Sequence, residues 1–420
     1  MKLPQFLRTG ADSPLDRFGL VCLLALPPAL LHGRGIADML ISLLGLLFLL
    51  RSALGGGWGW VRQPWVAVAA AWFGWMVLTT WLVDGPGKPL GQAAVVVRLL
   101  LLVTACQNWL LLAPRTQRWF GFVFAACAAW IAIECWHQLL LGRNLLGYGI
   151  APDGIITGPF GKERAGQFYL DVIFPGVLPF VLRGMDSTRP RDRVAGLALL
   201  ALAAASMVLI GQRMPVLLLL LGLCVTGLLV RRLRLAVAAA LLACVLMAAL
   251  LPLLSPLTFE RLVINFLAQM RHFWVSDYGQ IYVRALGMTG DNLWLGLGYD
   301  GFRNHCLDPA TLHGLAMVDV TDAEVKAAEG CNIHPHNHWL EVSTSFGLPG
   351  LALFVLLVGL WLRGIRRPAP GVDTALHTSL VVAFVVLFWP IAARSSLFVV
   401  DSGGWAFLTA GWALAMSRRA

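Results

Sequence analysis

Run after run of apolar residues, each close to the roughly 20 that a bilayer core demands, limits what this chain can fold into more than any other feature. In hydrocarbon every backbone N–H and C=O must be paired within the protein, which leaves helices or a closed barrel. Barrel strands alternate apolar and polar residues. The runs here are continuous, so the chain reads as an all-α polytopic membrane protein. Twelve transmembrane helices are expected, at about 18–33, 36–51, 63–82, 89–112, 118–141, 167–183, 194–210, 214–230, 235–253, 337–362, 373–392 and 402–417. Composition agrees: 58% of residues are hydrophobic and 13% charged, against about a quarter charged in a soluble domain.

The spans divide the chain into an N-terminal bundle of about nine helices over 1–253, a large loop region over 254–336 and about three C-terminal helices over 337–420. The loop opens with an amphipathic stretch. Phe259, Leu262, Val263, Phe266, Leu267, Met270 and Phe273 fall on one face at helical spacing, with Glu260, Arg261, Asn265 and Arg271 opposite. Such a helix lies on a membrane surface or caps a bundle. A second helix is expected near 278–290. Gly296-Leu297-Gly298 is not a nucleotide fingerprint, since no βαβ unit surrounds it. The N-terminus carries no cleavable signal pattern, and no internal repeat supports a transporter of inverted halves.

The net charge is +10. In a membrane protein this excess reads as topology determinants beside anionic bilayer lipid rather than nucleic-acid binding. With the N-terminus inside, the inner connections hold nineteen Lys and Arg and the short outer ones seven. Both termini are therefore expected in the cytoplasm and the 254–336 loop outside.

Three histidines alternate where that loop meets the next apolar run, in His334-Pro335-His336-Asn337-His338-Trp339-Leu340-Glu341. Imidazole titrates near neutrality and can take a proton from an attacking hydroxyl. A metal reading lacks the acidic cluster that would hold Mg²⁺ or Mn²⁺, so no metal and no cofactor is expected. On the same side lie four cations: Arg213 in the turn Gly211-Gln212-Arg213-Met214-Pro215, Arg284 in the second loop helix, and Lys162 and Arg164 at the entry to a span. A snorkelling arginine is the plainer alternative for Arg213. Guanidinium forks grip phosphate oxygens, and several at the membrane rim suit a diphosphate whose lipid tail lies in the bilayer. Glu341 and Asp401 are rim carboxylates placed to support an imidazole or an arginine. Glu134, Arg98 and Asp171 are the intramembrane ionisable groups, each a site candidate by default. If the loop faces an oxidising compartment, Cys306 and Cys331 are a candidate disulfide.

These residues resemble a known family. His336-Asn337, nine residues, then Gly347-Leu348-Pro349-Gly350 is similar to the H-N-x9-G-x-x-G signature of O-antigen ligases. Arg213 in an outer turn and Arg284 ahead of Gly296-Leu297-Gly298 look like the family's arginines. The resemblance covers the C-terminal two-thirds of the chain. It implies a GT-C-like, metal-independent, inverting glycosyltransferase of the Gram-negative inner membrane, with its site facing the periplasm. The implied donor is undecaprenyl diphosphate carrying O-antigen, and the implied acceptor a sugar hydroxyl of lipid A–core. His336 maps onto the motif histidine, with His338 two residues away as the competing candidate. Arg213 and Arg284, then Lys162 and Arg164, map onto the diphosphate grip, and Asn337 supports the site. Gly347 and Gly350 read as close helix packing. An O-antigen polymerase or a protein O-oligosaccharyltransferase would share these features, and a lipid-linked oligosaccharide flippase is the alternative from another class.

Overall fold

Proline at the first helical position and a side-chain or glycine cap mark the ends of most spans, and the helices follow those marks. The computed structural model describes residues 13–151, 154–161, 165–311, 313–315, 319–321 and 330–418. In chain order the helices are α1 (Pro14–His32), α2 (Arg34–Arg51), α3 (Pro64–Asp84), α4 (Lys88–Val95), α5 (Val97–Ala105), α6 (Pro114–Leu141), α7 (Ala165–Asp186), α8 (Pro190–Ile210), α9 (Arg213–Leu229), α10 (Arg234–Leu254), α11 (Pro256–Phe259), α12 (Asn265–Arg271), α13 (Asp277–Asp291), α14 (Gly301–His305), α15 (His338–Ile365), α16 (Thr374–Leu387) and α17 (Trp405–Ser417). Pro64, Pro114 and Pro190 open α3, α6 and α8, where a missing N–H costs nothing. Asp373 caps α16 by accepting from the N–H groups of Ala375 and Leu376, both at 3.1 Å. Among the described residues no strand forms, only two isolated bridges.

Nine helices among the described residues are long and apolar enough to cross a membrane. The chain is thus an all-α, multi-pass membrane protein. All twelve expected segments are helical, but three are shorter than a full span. α9 has 17 residues, α16 has 14 and α17 has 13. The shortening has one cause at α16. After Leu387 the chain runs through Pro390 as an irregular strap up to a π turn at Val400–Gly404, and only then enters α17. Irregular backbone at membrane depth survives where protein or a wet cavity satisfies its polar groups, and this strap borders such a cavity.

α7 is the most buried of these nine and packs against α6, α8 and α16. Behind it the core is aromatic: Phe120 packs on Trp412 at 4.7 Å with the rings tilted by 59°, and Phe124 meets Trp405 edge-on at 5.6 Å. The intramembrane ionisable groups all have partners in this frame. Glu134 accepts from the Leu145 N–H at 3.0 Å, Arg98 pairs with Asp38 at 2.6 Å, and Asp171 pairs with Arg394.

The large loop packs over one end of the bundle. Its second expected helix is α13. The expected continuous amphipathic helix is instead α11 and α12 joined by a π turn at Glu260–Ile264, which rotates the apolar face. Leu267 and Met270 stay exposed. Cys306 and Cys331 are bonded, with their Cα atoms 5.6 Å apart, and tie α14 to the segment that leads into the histidines.

Candidate functional site

A cleft of about 630 Å³ opens at the loop-bearing end, where α9 begins and the strap after α16 passes. His334 and His336 form one wall, Arg213, Arg261 and Gln269 another, and Tyr278, Asp277 and Arg394 complete it. The tight turn before α9 aims Arg213. Gly211 takes φ +74°, and a Cβ there would come within 2.4 Å of the Thr258 methyl, so only glycine fits. Arg213 Nε donates to the Arg261 carbonyl at 2.9 Å, and its Nη1 donates to Gln269 Oε1. Arg261 returns a bond to the Gly211 carbonyl at 2.8 Å. These three bonds go to neutral acceptors, and both guanidinium groups line the cleft. Arg394 differs: its guanidinium pairs with Asp171, and both side chains are 0% exposed.

His336 is half-buried and holds φ +51°, a left-handed conformation uncommon for a residue with a Cβ. Its carbonyl accepts from the Arg394 backbone N–H at 2.8 Å. The Asn332 amide nitrogen stands 3.3 Å from His336 Nε2 and donates to it, so Nε2 is the unprotonated ring nitrogen and its lone pair accepts that bond. The Tyr278 ring lies edge-on at 5.7 Å and the His334 ring at 4.3 Å. Burial, then the neighbouring His336 and Arg303, push the His334 imidazole down to about 3, so it stays neutral.

The residues that follow serve the frame. Asn337 caps α15, accepting from Trp339 and Leu340 N–H at 2.9 and 3.1 Å, while its Nδ2 donates to the Pro390 carbonyl at 2.7 Å. His338 is buried. Its Nε2 donates to the Ser395 carbonyl at 3.0 Å, and it does not line the cleft. Glu341 is buried and accepts from the Leu397 N–H at 2.7 Å. Asp401 pairs with Arg34 at 2.8 Å, fixing the far end of the strap to the start of α2. The motif thus clamps residues 390–402 along their length.

Arg284 is 1% exposed inside the loop, where its Nη1 donates to the Thr311 carbonyl at 2.8 Å. It does not line the cleft. Burial lowers its pKa from the ordinary guanidinium value. Lys162 and Arg164 lie outside the described residues. Gly347 packs closely, as expected, but also bends α15. With φ +64° it breaks the helical backbone, and a Cβ would sit 2.6 Å from the carbonyl oxygens of Leu293 and Trp294. The Leu348 N–H, freed by the bend, donates to the Leu293 carbonyl at 2.7 Å. Gly350 meets Phe346 and Trp75.

Arg394, Arg261, Asp277 and Tyr278 are cleft residues that the sequence pattern did not single out. Arg394 carried a signal, being a cation in an outer connection. Arg261 was hidden on the polar face of an amphipathic stretch. A second, apolar groove of about 300 Å³ adjoins the cleft, lined by Leu217, Leu218 and Leu221 of α9, Phe266, Trp389 and Ile391. Arg213, Met214, Gln269, Tyr278 and Ala393 line both cavities. Among the described residues no three His, Cys, Asp or Glu converge as a metal site.

A multi-pass helical membrane protein with a cationic, histidine-bearing cleft at one end of its bundle is the class that fold and site define. Residues 198–355 match the family model described as O-Antigen ligase, so this stretch of the chain is similar to that family. The matched region runs from α8 to the middle of α15 and contains Arg213, Arg261, Asp277, Tyr278, His334 and His336. The family carries glycosyltransferase-like O-antigen ligase activity within a ligase and polymerase superfamily. A search of curated proteins returns no match.

Proposed function

We propose that the chain is an inner-membrane glycosyltransferase that moves O-antigen polysaccharide en bloc from undecaprenyl diphosphate to a sugar hydroxyl of lipid A–core, with inversion and without a metal ion. One observation carries this reading: the cationic cleft and the apolar groove are joined through Arg213. A polyprenyl diphosphate is a molecule with that same division, a charged end on an apolar tail. The groove holds the tail beside α9, and Arg213 and Arg261 face the diphosphate.

Transfer requires an acceptor oxygen in line with the departing diphosphate. The new bond forms from that oxygen to the anomeric carbon as the carbon–oxygen bond to the diphosphate breaks. The leaving group gains negative charge, which fixed guanidinium groups offset without reorganising. His336 Nε2 takes the acceptor proton once the acceptor hydroxyl displaces the Asn332 amide from its lone pair. His334, neutral beside it, offers a hydrogen bond without adding charge. The strap and the loop face the periplasm on this reading, with both termini in the cytoplasm.

The test is reconstitution with purified lipid-linked donor and rough lipopolysaccharide in the presence of chelator. Transfer onto the core is the expected result, lost in His336→Ala with the protein still folded. Arg213→Ala is expected to raise the KM for donor about tenfold or more, the scale of one lost charge-assisted contact. Lengthening of the donor glycan would instead mark a polymerase, transfer to Ser or Thr hydroxyls a protein O-oligosaccharyltransferase, and movement of donor across the bilayer without transfer a flippase. Loss of activity with chelator would overturn the metal-free mechanism.

A further inference from the structure

His336 sits at the end of a loop, yet its backbone is held in a conformation the chain would not choose alone. What holds it is the strap. The Arg394 N–H bonds the His336 carbonyl at 2.8 Å, and Arg394 is in turn anchored to α7 through Asp171, 223 residues away in sequence. The Gln167 amide, turned with its oxygen toward the guanidinium, accepts from Nη2 and Nη1 at 2.6 and 2.9 Å. α7 is the most buried of the nine candidate membrane spans, so Asp171 is anchored in closely packed protein. A fully buried ion pair is a poor way to gain stability, because an apolar pair of like volume does as well. It is a good way to fix one geometry.

We propose that Asp171 is a positioning residue for transfer. Through Arg394 it locks the strap whose backbone bond sets His336 against the cleft. Asp171 does not line the cleft, and its carboxylate is spent on Arg394. The consequence is a dependence of the chemical step on a residue inside the membrane bundle. A displacement of about 1 Å at a reacting group costs on the order of 100-fold in rate, so a loosened strap shows in kcat before it shows in binding.

This inference rests on the transferase reading, and its test separates the two. Asp171→Asn, the neutral pair Asp171→Leu/Arg394→Met and the exchanged pair Asp171→Arg/Arg394→Asp are compared with the parent protein. Two readouts are taken on monodisperse protein. The first is kcat and KM for each lipid. The second, independent of any transfer, is the rate at which diethylpyrocarbonate modifies His336, followed by mass spectrometry with exposed His272 as the internal reference.

The expected result is a kcat at least about tenfold lower in the neutral pair, with both KM values within about twofold, and substantial recovery in the exchanged pair. The His336 modification rate shifts in the neutral pair while that of His272 does not. If Asp171→Asn fails to fold, the neutral pair, which leaves no orphaned charge, decides. A folded neutral pair with parental kcat and parental His336 reactivity overturns the proposal. So does an exchanged pair that regains parental His336 reactivity yet stays slow, since Arg394 would then act on substrate directly. If the parent protein transfers nothing, the ligase reading fails, and the His336 reactivity still decides whether Asp171 holds the histidine.

Discussion

His334 shows how much a neighbour changes one residue. Two histidines two positions apart share a wall, yet one is buried and neutral and the other half-buried with its Nε2 bonded by the Asn332 amide. Because the folded pKa of His334, about 3, lies below the unfolded value near 6.5, the unfolded chain binds the extra proton as pH falls through 6.5. Stability is therefore full above pH 6.5 and declines on acidification toward pH 3, by no more than about 1.4 kcal/mol per pH unit for one proton. Melting curves of the detergent-solubilised protein against pH are expected to show that slope, and His334→Gln to flatten it. Arg284 makes a complementary case. Its bond to Thr311 lies inside the loop, so Arg284→Met is expected to lower the melting temperature; an unchanged melting temperature with a raised donor KM would return it to the diphosphate grip.

At the scale of elements, the start of α15 does two jobs. Asn337 caps the helix and ties down Pro390, so Asn337→Ala is expected to cost about 1 kcal/mol for the cap and more for the lost bond to the strap. Gly347→Ala forces a Cβ into two loop carbonyls at positive φ, and a loss of about 2–4 kcal/mol is expected from strain and overpacking together. Both are read as shifts in thermal midpoint. The sequence pattern located this helix start and its motif, but not the bend at Gly347. A bend needs a partner that receives the freed N–H, and that partner, Leu293, lies in a loop with no periodic signal. The groove beside α9 gives a further expectation. Leu221→Trp fills it and should raise the KM for a full-length polyprenyl donor more than for a short-prenyl analogue; equal effects on both would place the tail elsewhere.

For the whole molecule, the Cys306–Cys331 bond closes a loop over a sequence separation of 25. On the chain-entropy account its loss costs about 3.5 kcal/mol. His334 and His336 follow Cys331 closely in the chain, so reduction is expected to lower the melting temperature and cleft function together, measured by calorimetry and transfer assay on the same preparation. Alone, the sequence determined that the chain is a polytopic helical membrane protein, where its large loop lies, and that the histidine motif stands at the loop's end. Those are local properties, written in windows of about 20 residues by hydropathy and helical period. Which histidine and which arginines meet was decided only by the tertiary structure. Arg394 reaches Asp171 across 223 residues and joins the cleft wall, Arg261 turns inward at a π turn, and Arg284 and His338 are withdrawn into the frame. Burial and partner choice set those outcomes, and both depend on contacts far apart in the chain that no local pattern encodes.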